Sequence, residues 1–198
     1  MNKGLLFVMS GPSGTGKGTI CKVLEKDDGI FLSISSTTRE KRVGEIEGVT
    51  YNYLSKEEFK GLIDAGDMLE WATYDGNFYG TPKQTVEKML SEGKNVILEI
   101  DVQGAFNVKK IFPETVLIFV LPPSMEELKK RLIERGREGT ESIQNRMEVA
   151  KKELELAAQY NFVIINDDLQ KCVDEVREFI KQTEEKRNLI VNLLNEKY

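Results

Sequence analysis

Short and nearly unbroken apolar runs recur along the chain, separated by stretches with helical signals. The runs are Leu5–Met9, Ile30–Ile34, Val96–Ile100, Val116–Leu121 and Phe162–Ile165. A strand covered by helices on both faces is apolar throughout, whereas a strand with one wet face alternates. The pattern therefore predicts an α/β fold with a mostly parallel five-stranded sheet.

Capping residues predict where several helices begin. A Ser followed three residues later by Glu is typical of a capping box, and this pattern occurs at Ser124 and at Ser55. Thr81 and Pro82 predict an N-cap and a first helical position, and Gly93 predicts the end of that helix.

From about Leu169 the chain reads as a final helix. Its last turns carry an apolar stripe, namely Leu189, Ile190, Leu193 and Leu194. We expect this stripe to pack on the core, with contact to a partner subunit as the alternative.

Two stretches interrupt the alternation of strands and helices. Residues 37–82 are rich in Gly, Tyr and charge and include short strand patterns at Thr50–Leu54 and Met68–Tyr74, which predicts a small inserted α+β subdomain. Residues 136–142 form a polar turn between two charged helices, which predicts a mobile flap within a helical lid at about 127–150. Residues 1–36 and 83–198 then form the core.

Charge and composition narrow the possible functions. The chain has 28 basic and 33 acidic side chains, a net charge of −5, and no histidine. The net charge argues against a general nucleic-acid or membrane surface. The lack of histidine excludes Ser-His-Asp and Cys-His hydrolases and His-ligated zinc sites. Cys21 and Cys172 fit no metal or redox spacing and are expected to be buried thiols.

No apolar run approaches the about 20 residues that a membrane-spanning helix needs. Residues 1–10 carry one Lys and no small-residue cleavage site, so they do not resemble a signal peptide. We therefore expect a cytoplasmic protein, either a monomer or a homodimer.

A glycine-rich loop after the first predicted strand carries the main chemical signal. It has the pattern G-x-x-x-x-G-K and is followed by a helical pattern: Gly11, Pro12, Ser13, Gly14, Thr15, Gly16, Lys17, Gly18 and Thr19. Glycines allow successive backbone N–H groups to converge on phosphate oxygens, and the following helix adds its positive dipole end. The rival dinucleotide pattern G-x-G-x-x-G fails, since Thr19 or Cys21 stands where its third glycine belongs. The loop is therefore predicted to bind the triphosphate of a nucleotide, with Lys17 on the β- and γ-phosphates.

The loop departs from its usual form at one position. Gly18 stands where a Ser or Thr usually binds Mg²⁺, so we expect Mg²⁺ to be held mainly by phosphates and water, with Thr19 on phosphate. Asp101 is the candidate outer-shell anchor, with Glu99 beside it.

A second anion site is predicted in the inserted segment. Arg39 and Arg42 lie three residues apart beside several hydroxyl side chains, and two guanidinium groups can hold a second phosphate.

At this point the sequence resembles the guanylate kinases, a family of P-loop nucleoside monophosphate kinases. The matching stretches run in order along nearly the whole chain: Gly11–Thr19, Ser35–Arg39 with Arg42 and Gly44–Glu45, Gly48–Tyr53, Glu70–Ala72, Asn77–Thr81, Glu99–Gly104 and Asn166–Leu169. The resemblance implies a P-loop three-layer fold, ATP and GMP as substrates, and Mg²⁺ as the metal.

The resemblance also implies roles for single residues. The phosphate of GMP falls to Arg39, Arg42, Tyr51 and Tyr79, and its guanine to Ser35, Glu70 and Thr81, with Asp101 beside them. Lid arginines over the transferring phosphate correspond to Arg131, Arg135, Arg137 and Arg146. Asn166 and Asp167 fall where the family contacts the adenine of ATP. The predicted catalytic set is thus Lys17, Arg39, Arg131, Arg135, Arg137 and Arg146.

Each of these residues has a plainer interpretation when it is taken alone. Arg131 and Arg135 share a helix with Glu127 and Glu134 and can be surface ion pairs. Glu70 can be a solvated strand residue. The joint pattern favours the functional interpretation.

Three other functions remain open at this stage. An inactive interaction module with the same fold is disfavoured by the retained Lys17, Arg39, Arg42 and Glu70. A GTPase switch needs an N-K-x-D sequence for guanine, and residues 166–169 lack the lysine. A kinase for a different monophosphate depends on the role of Glu70.

Overall fold

The computed structural model describes residues 3–74, 76–134 and 140–197, and the side chains of 140–142 and 193–197 are not described. Nine strands are present in this part of the chain: β1 (Leu6–Ser10), β2 (Ile30–Leu32), β3 (Ser36–Thr37), β4 (Asn52–Tyr53), β5 (Met68–Tyr74), β6 (Asn77–Pro82), β7 (Asn95–Glu99), β8 (Val116–Leu121) and β9 (Phe162–Ile165). The helices are α1 (Lys17–Leu24), α2 (Lys56–Asp64), α3 (Lys83–Ser91), α4 (Val102–Ile111), α5 (Met125–Glu134), α6 (Thr140–Leu154) and α7 (Leu169–Lys197). A 3-10 turn at Ala157–Gln159 precedes β9.

The larger sheet has five strands in the order β2-β7-β1-β8-β9. Its pairs β1–β7, β2–β7 and β8–β9 are parallel. All of β1 is buried, as are the first four residues of β7 and the central four of β8. The predicted α/β class and parallel five-stranded sheet are confirmed, because both faces of these strands exclude water as their apolar runs require.

The smaller sheet is mixed and has the order β4-β3-β6-β5. Strand β3 pairs in parallel with β4 and antiparallel with β6, and β5 pairs antiparallel with β6. This sheet lies largely within residues 37–82, for which the sequence predicts an inserted subdomain that binds GMP. That role stays a prediction.

Sequence patterns fix most element boundaries to within one or two residues. Strands β5, β8 and β9 begin and end as predicted, and α7 begins at Leu169. The prediction for Thr81 and Pro82 is wrong. Both residues belong to β6, Pro82 is the N-cap of α3 without a side-chain cap, and the Thr81 hydroxyl donates to Glu70 instead. Pairing with β5 outweighs the local capping signal.

The chain divides into two compact units. The first comprises residues 1–10 and 25–117, and the second comprises 11–24 and 118–198. In the first unit Phe59, Val86 and Ile97 are fully buried. In the second unit Leu128, Leu132 and Ala150 form a buried cluster with Met125 and Met147 packed against it.

Cys21 and Cys172 are buried free thiols, as predicted. The predicted packing of the α7 stripe is wrong for Leu189 and Ile190, which are 60% and 48% exposed. The side chains of Leu193 and Leu194 lie outside the described part. Within the described residues, none of the helices is both long and apolar enough to cross a membrane.

The predicted capping box of α2 is confirmed and offers a test of local stability. Ser55 Oγ accepts from the backbone N–H of Glu58 at 3.1 Å, and Glu58 Oε2 accepts from the backbone N–H of Ser55 at 2.8 Å. The substitution Ser55→Ala removes the first bond and is expected to lower the free energy of unfolding by about 1 kcal/mol, measured by urea denaturation. Ser91→Ala is the matched control, because Ser91 is exposed and only donates to Lys88 within its own helix. Equal unfolding midpoints for the two variants would contradict the assigned cap.

Candidate functional site

The phosphate loop spans residues 11–16, between the end of β1 and the start of α1. Gly11, Gly14 and Gly16 have φ values of +135°, +93° and +92°, a region that residues with a Cβ rarely adopt. The loop leads directly into the N-terminus of α1, where the positive end of a helix dipole favours an anion. The turn that the glycine pattern predicts is present, and the binding of phosphate by this loop stays a prediction.

Lys17 lies at the first position of α1 and folds over the loop. Its Nζ donates to the carbonyl oxygens of Gly11 at 2.6 Å and Pro12 at 2.9 Å. These contacts place the ammonium group of Lys17 beside the first two residues of the loop. A triphosphate offers the same cation stronger acceptors than two carbonyls.

Residues that the sequence predicts to contact ATP come from distant parts of the second unit and contact this loop. Arg146 NH1 donates to Ser13 Oγ at 3.0 Å, and Asn166 Nδ2 donates to the carbonyl of Thr15 at 2.8 Å. Asp167 follows as an exposed residue. Two further predicted lid arginines, Arg135 and Arg137, lie outside the described residues, as does most of the predicted flap at 136–142.

Arg131 contacts both a neighbour on its own helix and the residue that follows β9. Its Nε donates to Glu127 Oε1 at 2.9 Å, which is the surface pair that helical spacing allows. Its NH1 and NH2 groups both donate to the carbonyl of Asn166 at 3.2 Å. The guanidinium is therefore held beside a residue that itself contacts the phosphate loop.

In the first unit, β5 and β6 bring a buried carboxylate and a hydroxyl together. Glu70 is 6% exposed, Thr81 is fully buried, and Thr81 Oγ1 donates to Glu70 Oε1 at 2.8 Å. The two residues are register partners in the antiparallel pair. The interpretation of Glu70 as a solvated strand residue is thus wrong.

Asp101 and Gly104 complete the surroundings of this carboxylate. Asp101 is the N-cap of α4, and its Oδ1 accepts from the backbone N–H of Gly104 at 2.7 Å. A Cβ at position 104 would lie 3.2 Å from both Glu70 Oε2 and Asp101 Oδ1. Burial raises the pKa of Glu70 to about 7 against the opposing Thr81 hydrogen bond, and the nearby charge of Asp101 also raises it.

A second cluster in the same unit centres on Glu45. Arg39 NH2 donates to both oxygens of Glu45 at 2.8 and 3.0 Å, Tyr53 Oη donates at 2.6 Å, and the backbone N–H of Arg42 donates at 2.8 Å. Burial alone would raise the pKa of Glu45, but these hydrogen bonds outweigh it and lower the pKa to about 2. Glu45 therefore stays ionised and fixes the direction of Arg39.

The other residues that the sequence predicts to hold GMP differ in how closely they contact this cluster. The Arg39 guanidinium lies 5.7 Å from the centroid of the Tyr51 ring, and the Tyr51 and Tyr79 rings pack edge to face at 6.1 Å. Arg42 contributes its backbone to Glu45, while its side chain is exposed. Ser35 is half-buried and bonds Asn52 through its main chain.

Sequence reasoning missed three residues that shape the first unit's site. Glu45 and Tyr53 hold Arg39, and Gly104 leaves room beside Glu70 and Asp101. Glu45 lies within a stretch that carried the family resemblance, so its position was a signal without an assigned role. The role of Gly104 depends on the approach of β5 to α4, for which the local sequence has no signal.

The residues present fit a Mg²⁺ ion held by nucleotide phosphates and water. Gly18 has no hydroxyl to offer, and the described residues contain no group of three or more His, Cys, Asp or Glu side chains suited to a metal. This donor set suits an ion that keeps most of its water and binds chiefly through substrate phosphates.

Comparison with known proteins points to one family. The family model described as guanylate kinase matches residues 3–183. A guanylate kinase from Clostridium perfringens (strain 13 / Type A) is 57% identical over 176 residues, covering 88% of this chain and 82% of that protein. One from Halalkalibacterium halodurans is 47% identical over 190 residues, covering 96% and 93%.

A solved structure is similar over the same extent. The crystal structure of guanylate kinase from Anaplasma phagocytophilum has a TM-score of 0.76 and 34% identity, covering 92% of this chain and 87% of that chain. The similarity in sequence and in fold confirms the resemblance found in the motifs. This chain belongs to the guanylate kinase family.

Proposed function

We propose that this enzyme transfers the γ-phosphoryl group of ATP, bound with Mg²⁺, to GMP and so forms ADP and GDP. The observation that carries the proposal is the buried carboxylate of Glu70 beside the Thr81 hydroxyl. Guanine presents N1–H and a 2-amino group as two adjacent donors, and an ionised carboxylate can accept from both. Adenine has a lone pair at N1 and no 2-amino group, so it would offer Glu70 neither of these donors. A site of this kind can reject the wrong base by roughly 10⁴–10⁵.

The phosphate of GMP, which accepts the transferred group, is assigned to the cluster in which Glu45 holds Arg39. Arg39 NH2 donates to Glu45, and Arg39 NH1 donates to the Glu40 carbonyl at 2.6 Å. A phosphate is proposed to replace this carbonyl as the acceptor, because a charged oxygen is the stronger acceptor of the two. Arg42, Tyr51 and Tyr79 are proposed to complete the clamp, and Ser35 and Asp101 to complete the guanine site. Holding the arginine before the ligand arrives reduces the entropy that binding costs.

The donor triphosphate is assigned to the loop at 11–16 with Gly18, Thr19 and Lys17. Backbone N–H groups and the α1 terminus meet the phosphate oxygens, and Lys17 exchanges its two carbonyl contacts for the β- and γ-phosphates. When bound, Mg²⁺ would neutralise phosphate charge, and Asp101 is proposed to anchor it through water.

The transfer itself needs no general base in this proposal. The phosphate of GMP has a second pKa of about 6 and is already an oxyanion near neutral pH. In-line attack on the γ-phosphorus breaks the bond to the β,γ-bridging oxygen and leaves ADP, so no proton has to move. Lys17 and the arginines at 131, 135, 137 and 146 are proposed to meet the charge on the transferring group. Catalysis then consists of positioning and electrostatic stabilisation, which suits a chain without histidine.

The first test measures ADP formation from MgATP with GMP, AMP, CMP and UMP supplied separately and with no acceptor. Turnover with GMP alone is expected, because only guanine presents both donors to Glu70. Turnover with another monophosphate would overturn the base assignment. A folded, ATP-binding sample without acceptor-dependent turnover would favour an interaction module.

Lys17→Ala is expected to lower kcat by about 10² or more while it leaves the unfolding midpoint near that of the wild type.

The raised pKa of Glu70 predicts a pH dependence of acceptor binding. As pH falls through about 7, Glu70 takes up a proton and loses the ability to accept from both guanine donors. The KM for GMP is therefore expected to rise about tenfold between pH 8 and pH 6. Glu70→Gln supplies the baseline, since the phosphate of GMP titrates in the same range. Identical pH profiles for the two proteins would exclude Glu70 as the titrating group.

The Glu45 contacts predict a role in orienting Arg39. Glu45→Ala leaves Arg39, Tyr53 and the Arg42 N–H without their acceptor and is expected to raise the KM for GMP roughly tenfold, with little change in the KM for ATP. Glu45→Gln keeps one acceptor and should lie between. Glu40→Ala is the matched control, because it removes the same charge from an exposed neighbour. An unchanged KM for GMP in Glu45→Ala would show that Arg39 needs no such support.

A further inference from the structure

Asn166, at the end of β9, contacts the phosphate loop directly. Asn166 follows β9 immediately and is 7% exposed, and its Nδ2 donates to the carbonyl of Thr15 at 2.8 Å. Thr15 is itself fully buried, so water cannot replace this donor if it is lost. The side-chain amide thus holds the phosphate loop at its centre.

The loop is built to admit this side chain. A Cβ at Gly16 would lie 2.3 Å from Asn166 Nδ2, closer than any real contact. Gly16 also has φ of +92°, so glycine is required there both for the turn and for the approach of the amide.

The main chain of Asn166 is anchored as firmly as its side chain. Its N–H donates to the carbonyl of Leu121, the last residue of β8, at 2.9 Å. Its carbonyl accepts from NH1 and NH2 of Arg131, both at 3.2 Å. The residue therefore joins the loop to the sheet and to helix α5.

We propose that Asn166 is a positioning residue for the donor phosphates, which acts by holding the phosphate loop through Thr15. The inference rests on the proposed donor role of the loop. Its side chain acts through backbone groups of the loop, so its effect extends to any ligand that the loop holds by phosphate. A base contact would affect only ligands that carry the base.

A ligand without a base separates the two roles. Calorimetric titration with ATP and with inorganic tripolyphosphate is carried out on the wild type, Asn166→Ala and Asn166→Leu. Both dissociation constants are expected to rise about tenfold in the variants and in equal proportion, because the loop loses a buried hydrogen bond. In steady-state assays the KM for ATP should rise while the KM for GMP stays unchanged.

Matched controls guard against general destabilisation. Gln182→Ala removes an exposed amide whose Nε2 donates to Glu178 at 2.8 Å, and it should bind both ligands as the wild type does. Asn166→Leu nearly preserves the side-chain volume, so it decides the question if Asn166→Ala does not fold.

The outcomes distinguish the inference from the proposed function. Weaker binding of ATP with unchanged binding of tripolyphosphate would overturn the inference and favour a base contact. Unchanged binding of both ligands in folded variants would overturn the inference alone. A wild-type protein that binds neither ligand would overturn the donor site and the inference together.

Discussion

The close packing of neighbouring segments against the phosphate loop is the constraint on which the proposed ATP site depends. Side chains at two of its positions would collide with neighbouring segments, and a side chain at a third would crowd them. A Cβ would lie 2.5 Å from the Val120 carbonyl at Gly11, 3.1 Å from Leu128 and Leu132 at Gly14, and 2.3 Å from the Asn166 amide at Gly16. Each glycine therefore serves the backbone turn and also admits β8, α5 or the end of β9. Since anion binding by backbone N–H groups needs fixed directions, this packing is what would allow the loop to act as the proposed phosphate site.

Two carboxylates in the first unit show how surroundings divide similar groups into different tasks. Glu45 accepts from a guanidinium, a phenol and a backbone N–H, and its pKa lies at about 2. Glu70 accepts from Thr81 and lies near the negative charge of Asp101, and its pKa lies at about 7. The first is a permanent charge that orients an arginine. The second is a carboxylate whose missing partners a ligand can supply, and environments that separate two pKa values in this way are typical of functional sites.

The sequence predicted the larger sheet and the turn of the glycine-rich loop well, because buried parallel strands and glycine-rich loops leave strong local patterns. It placed β8 and β9 at their observed bounds. It failed at Thr81, where an apparent N-cap is a strand residue bonded to Glu70, since pairing between β5 and β6 decides the backbone there. Glu45 and Gly104 were missed for a related reason. Gly104 lies where α4 approaches β5, which the tertiary structure decides, and Glu45 reaches Arg39, Arg42 and Tyr53 through a loop conformation. No periodicity or spacing encodes either arrangement.

The contact between Thr15 and Asn166 has a consequence for how the protein is made. The two residues are 151 positions apart, so the loop leaves the ribosome long before the side chain that holds it. Contacts between segments so distant in sequence form late, because closing the intervening loop costs entropy that only the completed fold repays. A nascent chain that ended before Asn166 would carry the complete phosphate-loop motif without the side chain that holds it. Competence to hold a triphosphate at the proposed site would therefore arise only after residue 166 has been made, long after the motif itself is translated.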